Sequence, residues 1–161
     1  AFAAAARACR EGGGRSGISL SDPFCVDRHR ADFQGLIRDE LDYVIGNREE
    51  WQALYQTDDV TQAMAQAAAS VATVICTQTG DTVLLRQGEG VVEVPVMPVI
   101  TVDATGAGDQ FAAGVIYGLA SGHGLELAGR MGVASAADVL AHIGPRPSRP
   151  LPEVFAAAGL I

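Results

Sequence analysis

Asp103-Ala104-Thr105-Gly106-Ala107-Gly108-Asp109-Gln110-Phe111 follows an apolar run at residues 99–102. The run predicts a strand, and the residues after Gly108 predict a helix from about residue 109 to residue 120. A strand that passes into a helix through a glycine turn marks the place where open α/β sheets bind ligands. The same alternation continues on both sides of this stretch. Upstream, helix is predicted over residues 1–11, strand over 18–21, helix through about 37, strand over 43–46, helix from Asn47 to Tyr55, helix over 61–69 and strand over 71–77. Residues 82–86 and 91–95, joined through Gly88-Glu89-Gly90, read as a hairpin. Downstream, helices are predicted over 125–142 and 152–158. Strands alternating with helices specify an α/β layered fold with a mostly parallel sheet covered on both faces.

Gly106 and Gly108 remove side chains from the turn, so successive backbone N–H groups face one concavity beside the positive end of the helix. That is an anion hole. Asp109 stands next to it, and a carboxylate beside an anion hole is what phosphoryl transfer to an alcohol requires: a base for the hydroxyl and donors for the moving phosphoryl oxygens. The dinucleotide fingerprint GxGxxG fails here, because its third glycine would fall on Phe111. The turn taken alone is equally compatible with a tight glycine turn in which Asp109 stabilises the first helical turn by about 1 kcal/mol.

Composition narrows the chemistry further. All eleven basic residues are Arg, which excludes a P-loop lysine, a Schiff-base lysine and a Ser–Lys dyad. A formal charge of −8 argues against nucleic acid or an anionic membrane as partner. Cys9, Cys25 and Cys76 are too far apart for a CxxC motif, so neither a disulfide framework nor a zinc ribbon is indicated, and a reducing cytoplasm is expected. No apolar run reaches the roughly 18 residues of a membrane span. The opening Ala-Phe-Ala-Ala-Ala-Ala-Arg reads as the middle of an amphipathic helix, which suggests a chain that starts inside a larger protein. Gly114, Gly118 and Gly122 form a small-residue ladder for which close helix–sheet packing is the expected use.

The run DATGAGDQFAAG at residues 103–114 resembles the second signature of the ribokinase-like, or PfkB, family of sugar and nucleoside kinases. Residues 19–28 (SLSDPFCVDR) are similar to the corresponding strand and turn of bacterial adenosine-kinase-like members. Asn47-Arg48-Glu49-Glu50 fits the family's Asn-x-x-Glu motif, and residues 142–147 (HIGPRP) resemble the stretch after its last long helix. The resemblance implies a three-layer α/β/α sandwich of which residues 1–161 are the C-terminal portion, the N-terminal half and β-lid lying outside this chain. It further implies ATP-dependent phosphoryl transfer to a hydroxymethyl group of an adenosine-like nucleoside. A fructokinase- or ribokinase-like sugar kinase is the alternative, as is a non-catalytic nucleotide-binding module for the isolated chain. A full-length monomer or homodimer acting on a small molecule is expected, and the chain alone is expected to be inactive.

Carried onto this sequence, the resemblance makes Asp109 the catalytic base and Gly106, Ala107 and Gly108 the anion hole. Asp103 and Thr105 would hold a K⁺-like cation, with Val139, His142, Gly144 and Ser148 closing that site. Asn47 and Glu50 would reach Mg²⁺-bound phosphates through water. An Asn with Glu three residues on is also a capping box, and the two roles are compatible. Thr77, Thr79, Gly80 and Thr82 occupy the family's nucleotide-base loop, but Thr79 and Thr82 stand where its glycines would be. Val133 is a candidate adenine neighbour, although an apolar residue on a helix is also ordinary core.

Overall fold

The computed structural model describes residues 1–77 and 82–161. The elements run α1 (Phe2–Glu11), β1 (Gly17–Ser19), α2 (Pro23–Arg28), α3 (Arg30–Asp39), β2 (Tyr43–Asn47), α4 (Arg48–Tyr55), α5 (Val60–Ala68), β3 (Thr73–Thr77), β4 (Thr82–Gln87), β5 (Gly90–Pro95), α6 (Ala107–Ala120), α7 (Leu125–Leu140) and α8 (Leu151–Ala157). The strands are ordered β1-β2-β3-β4-β5. β1, β2 and β3 are parallel, with Ser19 opposite Ile45 and Asn47 opposite Thr77. β4 and β5 are joined by the two residues Gly88 and Glu89, with Gly88 at φ 58°, as a tight hairpin requires. The α/β class and the hairpin agree with the sequence expectation.

The chain divides into two compact units, Ala1–Gly80 with Leu84–Val91 and Asp81–Val83 with Val92–Ile161. In the first, the apolar faces of β2, β3, α4 and α5 meet in a core built from Val44, Val74, Trp51, Leu54, Ala63 and Met64. Trp51 is fully buried, and its indole N–H donates to the Ile75 carbonyl at 3.0 Å, so the ring's one polar atom is satisfied. Asp22 caps α2 through the Phe24 N–H, and Asp59 caps α5 through the N–H groups of Thr61 and Gln62.

Three local expectations are corrected in this unit. The helix expected up to residue 37 is two helices, because His29 leaves helical geometry (φ −121°, ψ 27°). The break redirects the chain, so that α2 packs on α4 while α3 reaches both α4 and α5. β1 ends at Ser19, since Ser21 takes the left-handed conformation at φ 66° and cannot continue a strand. β3 starts at Thr73, because the Val71 N–H still bonds the Ala67 carbonyl at the end of α5.

In the second unit α6 lies against α7. A Cβ on Gly114 would stand 2.5 Å from the Met131 carbonyl oxygen and 2.5 Å from Ser135 Oγ, and one on Gly118 would stand 2.7 Å from Ala128 Cα. Gly132 reciprocates toward Phe111 and Val115. The small-residue ladder therefore serves helix–helix packing, not helix–sheet packing, and Gly122 lies past the helix at φ 80°. α8 packs on α7 through Val154 and Phe155, which meet Met131 and Ala134, and the Phe155 ring also lies 5.2 Å from the Tyr117 ring of α6. The strand expected over residues 99–102 is absent. Ile100 is 88% exposed and Val102 56%, and the Val102 N–H bonds the Leu140 carbonyl at the end of α7 instead of a neighbouring strand. Pro95 and Pro98, which have no N–H to give a ladder, both precede the segment.

Candidate active site

The glycine turn lies in the second unit. Asp103 organises it: one carboxylate oxygen accepts the Thr105 N–H at 2.9 Å and the other accepts the Gly144 N–H at 2.9 Å. The first bond folds 103–105 into an Asx turn, and the second ties it to the loop after α7. Those N–H groups, Gly144 first and then Thr105, hold the Asp103 carboxyl down from 3.8 to about 2. A carboxyl depressed on folding adds stability above its unfolded value that is lost as pH falls through its folded one. We expect the unfolding midpoint in urea to fall between about pH 4 and pH 2, and Asp103→Asn to start lower and fall less steeply over that window. An unchanged pH slope in the variant would remove Asp103 from this role.

Gly106 follows at φ 79° as the N-cap of α6, and no side chain caps the helix. A Cβ on it would meet Pro145 Cβ at 2.5 Å, so this glycine is required both by its backbone angle and by the loop leaning on it. The Ala107 N–H bonds Ala104 O at 3.3 Å, and the Gln110 N–H bonds Gly106 O at 2.9 Å. Between them, the N–H groups of Gly108 and Asp109 have no acceptor among the described residues. A Cβ on Gly108 would meet nothing within 4 Å, so the space beside those donors is open. The Asp109 side chain is exposed, in the first turn of α6. Two free donors at the positive end of a 14-residue helix, with an exposed carboxylate in the same turn, are an arrangement that can receive an anion.

The loop after α7 brings only some of the expected cation-site residues together. Gly144 is bonded to Asp103, with Gly144 itself at φ 100°. The Val139 carbonyl accepts the His142 N–H at 3.3 Å. Ser148 turns to Asp138 instead, its N–H and hydroxyl donating to that carboxylate at 2.8 Å and 2.6 Å. The His142 ring places Nδ1 3.2 Å from Ile143 O, and its Nε2 is buried without a hydrogen bond. Val133 is buried on α7.

In the first unit, Asn47 and Glu50 form the full capping box. Glu50 N–H donates to Asn47 Oδ1 at 2.9 Å, while Asn47 N–H and Nδ2 donate to the two Glu50 oxygens at 2.8 Å and 2.9 Å. Glu50 is 5% exposed, and burial, partly opposed by the Asn47 N–H, pushes its carboxyl up. Each of its oxygens already accepts one hydrogen bond. Thr77 ends β3 beside Asn47, with its hydroxyl 3.5 Å from Gly46 O. Thr82 opens β4, half-buried; Thr79 and Gly80 lie outside the described residues. Gln110 and Pro145, which tie the glycine turn to the loop after α7, and Asp138, which holds Ser148, were given no role from the sequence. Gln110 stands beside Asp109 in the quoted motif, but its partner is 35 residues away, and no local pattern points to that bond.

The model of the pfkB family of carbohydrate kinases matches residues 1–152, and the chain belongs to that family. The crystal structure of a probable sugar kinase protein from Rhizobium etli CFN 42 superimposes with a TM-score of 0.95 at 38% identity, covering 99% of this chain and 49% of that one. The adenosine kinase of Sinorhizobium meliloti follows with a TM-score of 0.93 at 35% identity over 98% of this chain and 49% of that one. An uncharacterized sugar kinase of Archaeoglobus fulgidus is 31% identical over 127 residues, 78% of this chain and 50% of its own length. The chain thus spans about half the length of these relatives.

Proposed function

We propose that this chain supplies the phosphate-binding turn and the catalytic base of an ATP-dependent kinase whose acceptor is a primary alcohol on a nucleoside or a sugar. The observation that carries the reading is the uncapped start of α6, where the free N–H groups of Gly108 and Asp109 face open space beside the Asp109 carboxylate. In the proposed step the acceptor oxygen bonds to the γ-phosphorus and the bond to the β–γ bridging oxygen breaks. The hydroxyl proton passes to Asp109, and the turn's amides receive the charge on the transferring oxygens. Magnesium, when bound with ATP, neutralises phosphate charge; Asn47 and Glu50 would orient it through water, their own hydrogen bonds keeping the pair rigid.

A monovalent cation fits the ionised Asp103 carboxylate together with Thr105 and the loop around Gly144, and would brace the turn without touching the reacting atoms. Val139 and His142 would add backbone carbonyls, whereas the Ser148 hydroxyl is committed to Asp138. The adenosine kinase of S. meliloti favours a nucleoside acceptor, and the sugar kinases of R. etli and A. fulgidus favour a sugar. The reading assigns turnover to the full-length protein and not to this chain alone. Titration of the full-length protein with ATP, followed by a coupled ADP assay over nucleosides and sugars, tests it. Turnover with one acceptor class supports the reading, and binding without turnover on any acceptor replaces it with a nucleotide-binding module.

A further inference from the structure

We propose that Gln110 is a positioning residue for phosphoryl transfer, its side-chain amide holding the Gly144–Pro145 loop against the first turn of α6 and so aiming the Gly106–Asp109 amides. The inference rests on the reading of that turn as the anion hole. Gln110 Nε2 donates to the Pro145 carbonyl at 3.2 Å. Pro145 in turn fills the space where a Gly106 side chain would lie, and its neighbour Gly144 donates to Asp103. Asp103 fixes the Thr105 N–H, Thr105 leads into Gly106, and the Gly106 carbonyl accepts the Gln110 N–H at 2.9 Å. These contacts form a closed circuit, with Gln110 bonded into it through both backbone and side chain.

Residues 141–148 have no helix or strand of their own, and Ile143 within them is 85% exposed, so cross-links of this kind decide where the loop rests. With the Gln110 bond lost, the Asp103–Gly144 bond would remain as the polar tie between the loop and the turn, since the Ser148–Asp138 bonds anchor the loop's far end to α7 and not to the turn. One hydrogen bond to the turn lets the two shift against each other. A pivot that shifts the turn by a fraction of an ångström costs transition-state stabilisation more than ground-state binding, because the donors must meet charge where it develops.

Gln110→Met keeps the side chain's length and its helix preference while removing the donor. In the full-length protein, its kcat is expected to fall about 10-fold with KM for ATP within about threefold and the unfolding midpoint near wild type. Gln110→Ala, which adds no apolar bulk, is expected to behave alike. A purely structural role would lower the unfolding midpoint and leave kcat per active site unchanged. A kcat within about twofold of wild type in both variants, or a loss accounted for by unfolded protein, overturns the inference. Asp109→Asn, assayed in parallel, separates the two claims. An active Asp109→Asn removes the site reading and this inference with it, whereas an inactive Asp109→Asn beside fully active Gln110 variants overturns the positioning role alone.

Discussion

Replacing Asp109 with Asn is expected to cut turnover of the full-length protein by roughly 10²–10⁴-fold while KM for ATP moves by no more than a few-fold. The carboxylate is exposed in the first turn of α6, and no hydrogen bond or ion pair among the described residues engages it. Its removal therefore breaks no structural contact, and the variant should fold and bind nucleotide through the same backbone donors. On the proposed reading, only the proton acceptor for the attacking hydroxyl would be lost. Steady-state kinetics over ATP and acceptor concentration read the split directly, and a near wild-type kcat would remove Asp109 from its role.

The two turn glycines should respond in opposite ways to the same added methyl group. Gly106→Ala puts an L-residue at φ 79° and a Cβ 2.5 Å from Pro145 Cβ. The left-handed angle costs about 1–2 kcal/mol and the overpacking about 1–3 kcal/mol more, unless the loop swings away and releases Gly144 from Asp103. Either outcome lowers the unfolding midpoint and abolishes activity. Gly108→Ala meets nothing within 4 Å and lies inside α6, where Ala is preferred over Gly by about 0.5–1 kcal/mol. Its stability should hold or rise. Its kcat/KM for ATP should nonetheless fall about 10-fold or more if the proposed reading holds, because the methyl would then occupy space the phosphoryl group needs beside the free donors. Thermal unfolding and kinetics on both variants check the contrast, and a fully active Gly108→Ala would place the phosphates elsewhere.

The turn was legible because its parts are contiguous. Glycines, Asp103 and Asp109 lie within seven residues, so the tight glycine turn at the start of α6 could be read from local sequence, and the structure forms it. The Asn47–Glu50 box was legible for the same reason: only two residues separate cap and partner, and the structure forms both of its hydrogen bonds. For two of the misread features the deciding contact was distant. Residues 99–102 have the composition of a strand, but their backbone bonds the end of α7, which no periodicity reveals. Gly114 and Gly118 announce close approach without naming the partner, and that partner is α7. The end of β1 depends on Ser21 adopting a left-handed angle that is uncommon for a residue with a Cβ.

The most direct test is an amide-resolved NMR titration of the ¹⁵N-labelled full-length protein with a non-hydrolysable ATP analogue and magnesium. The account predicts saturable shifts at the amides of Gly106, Ala107, Gly108 and Asp109, weakened by Gly108→Ala and retained by Asp109→Asn. Saturable nucleotide binding that leaves those four amides unmoved would contradict it.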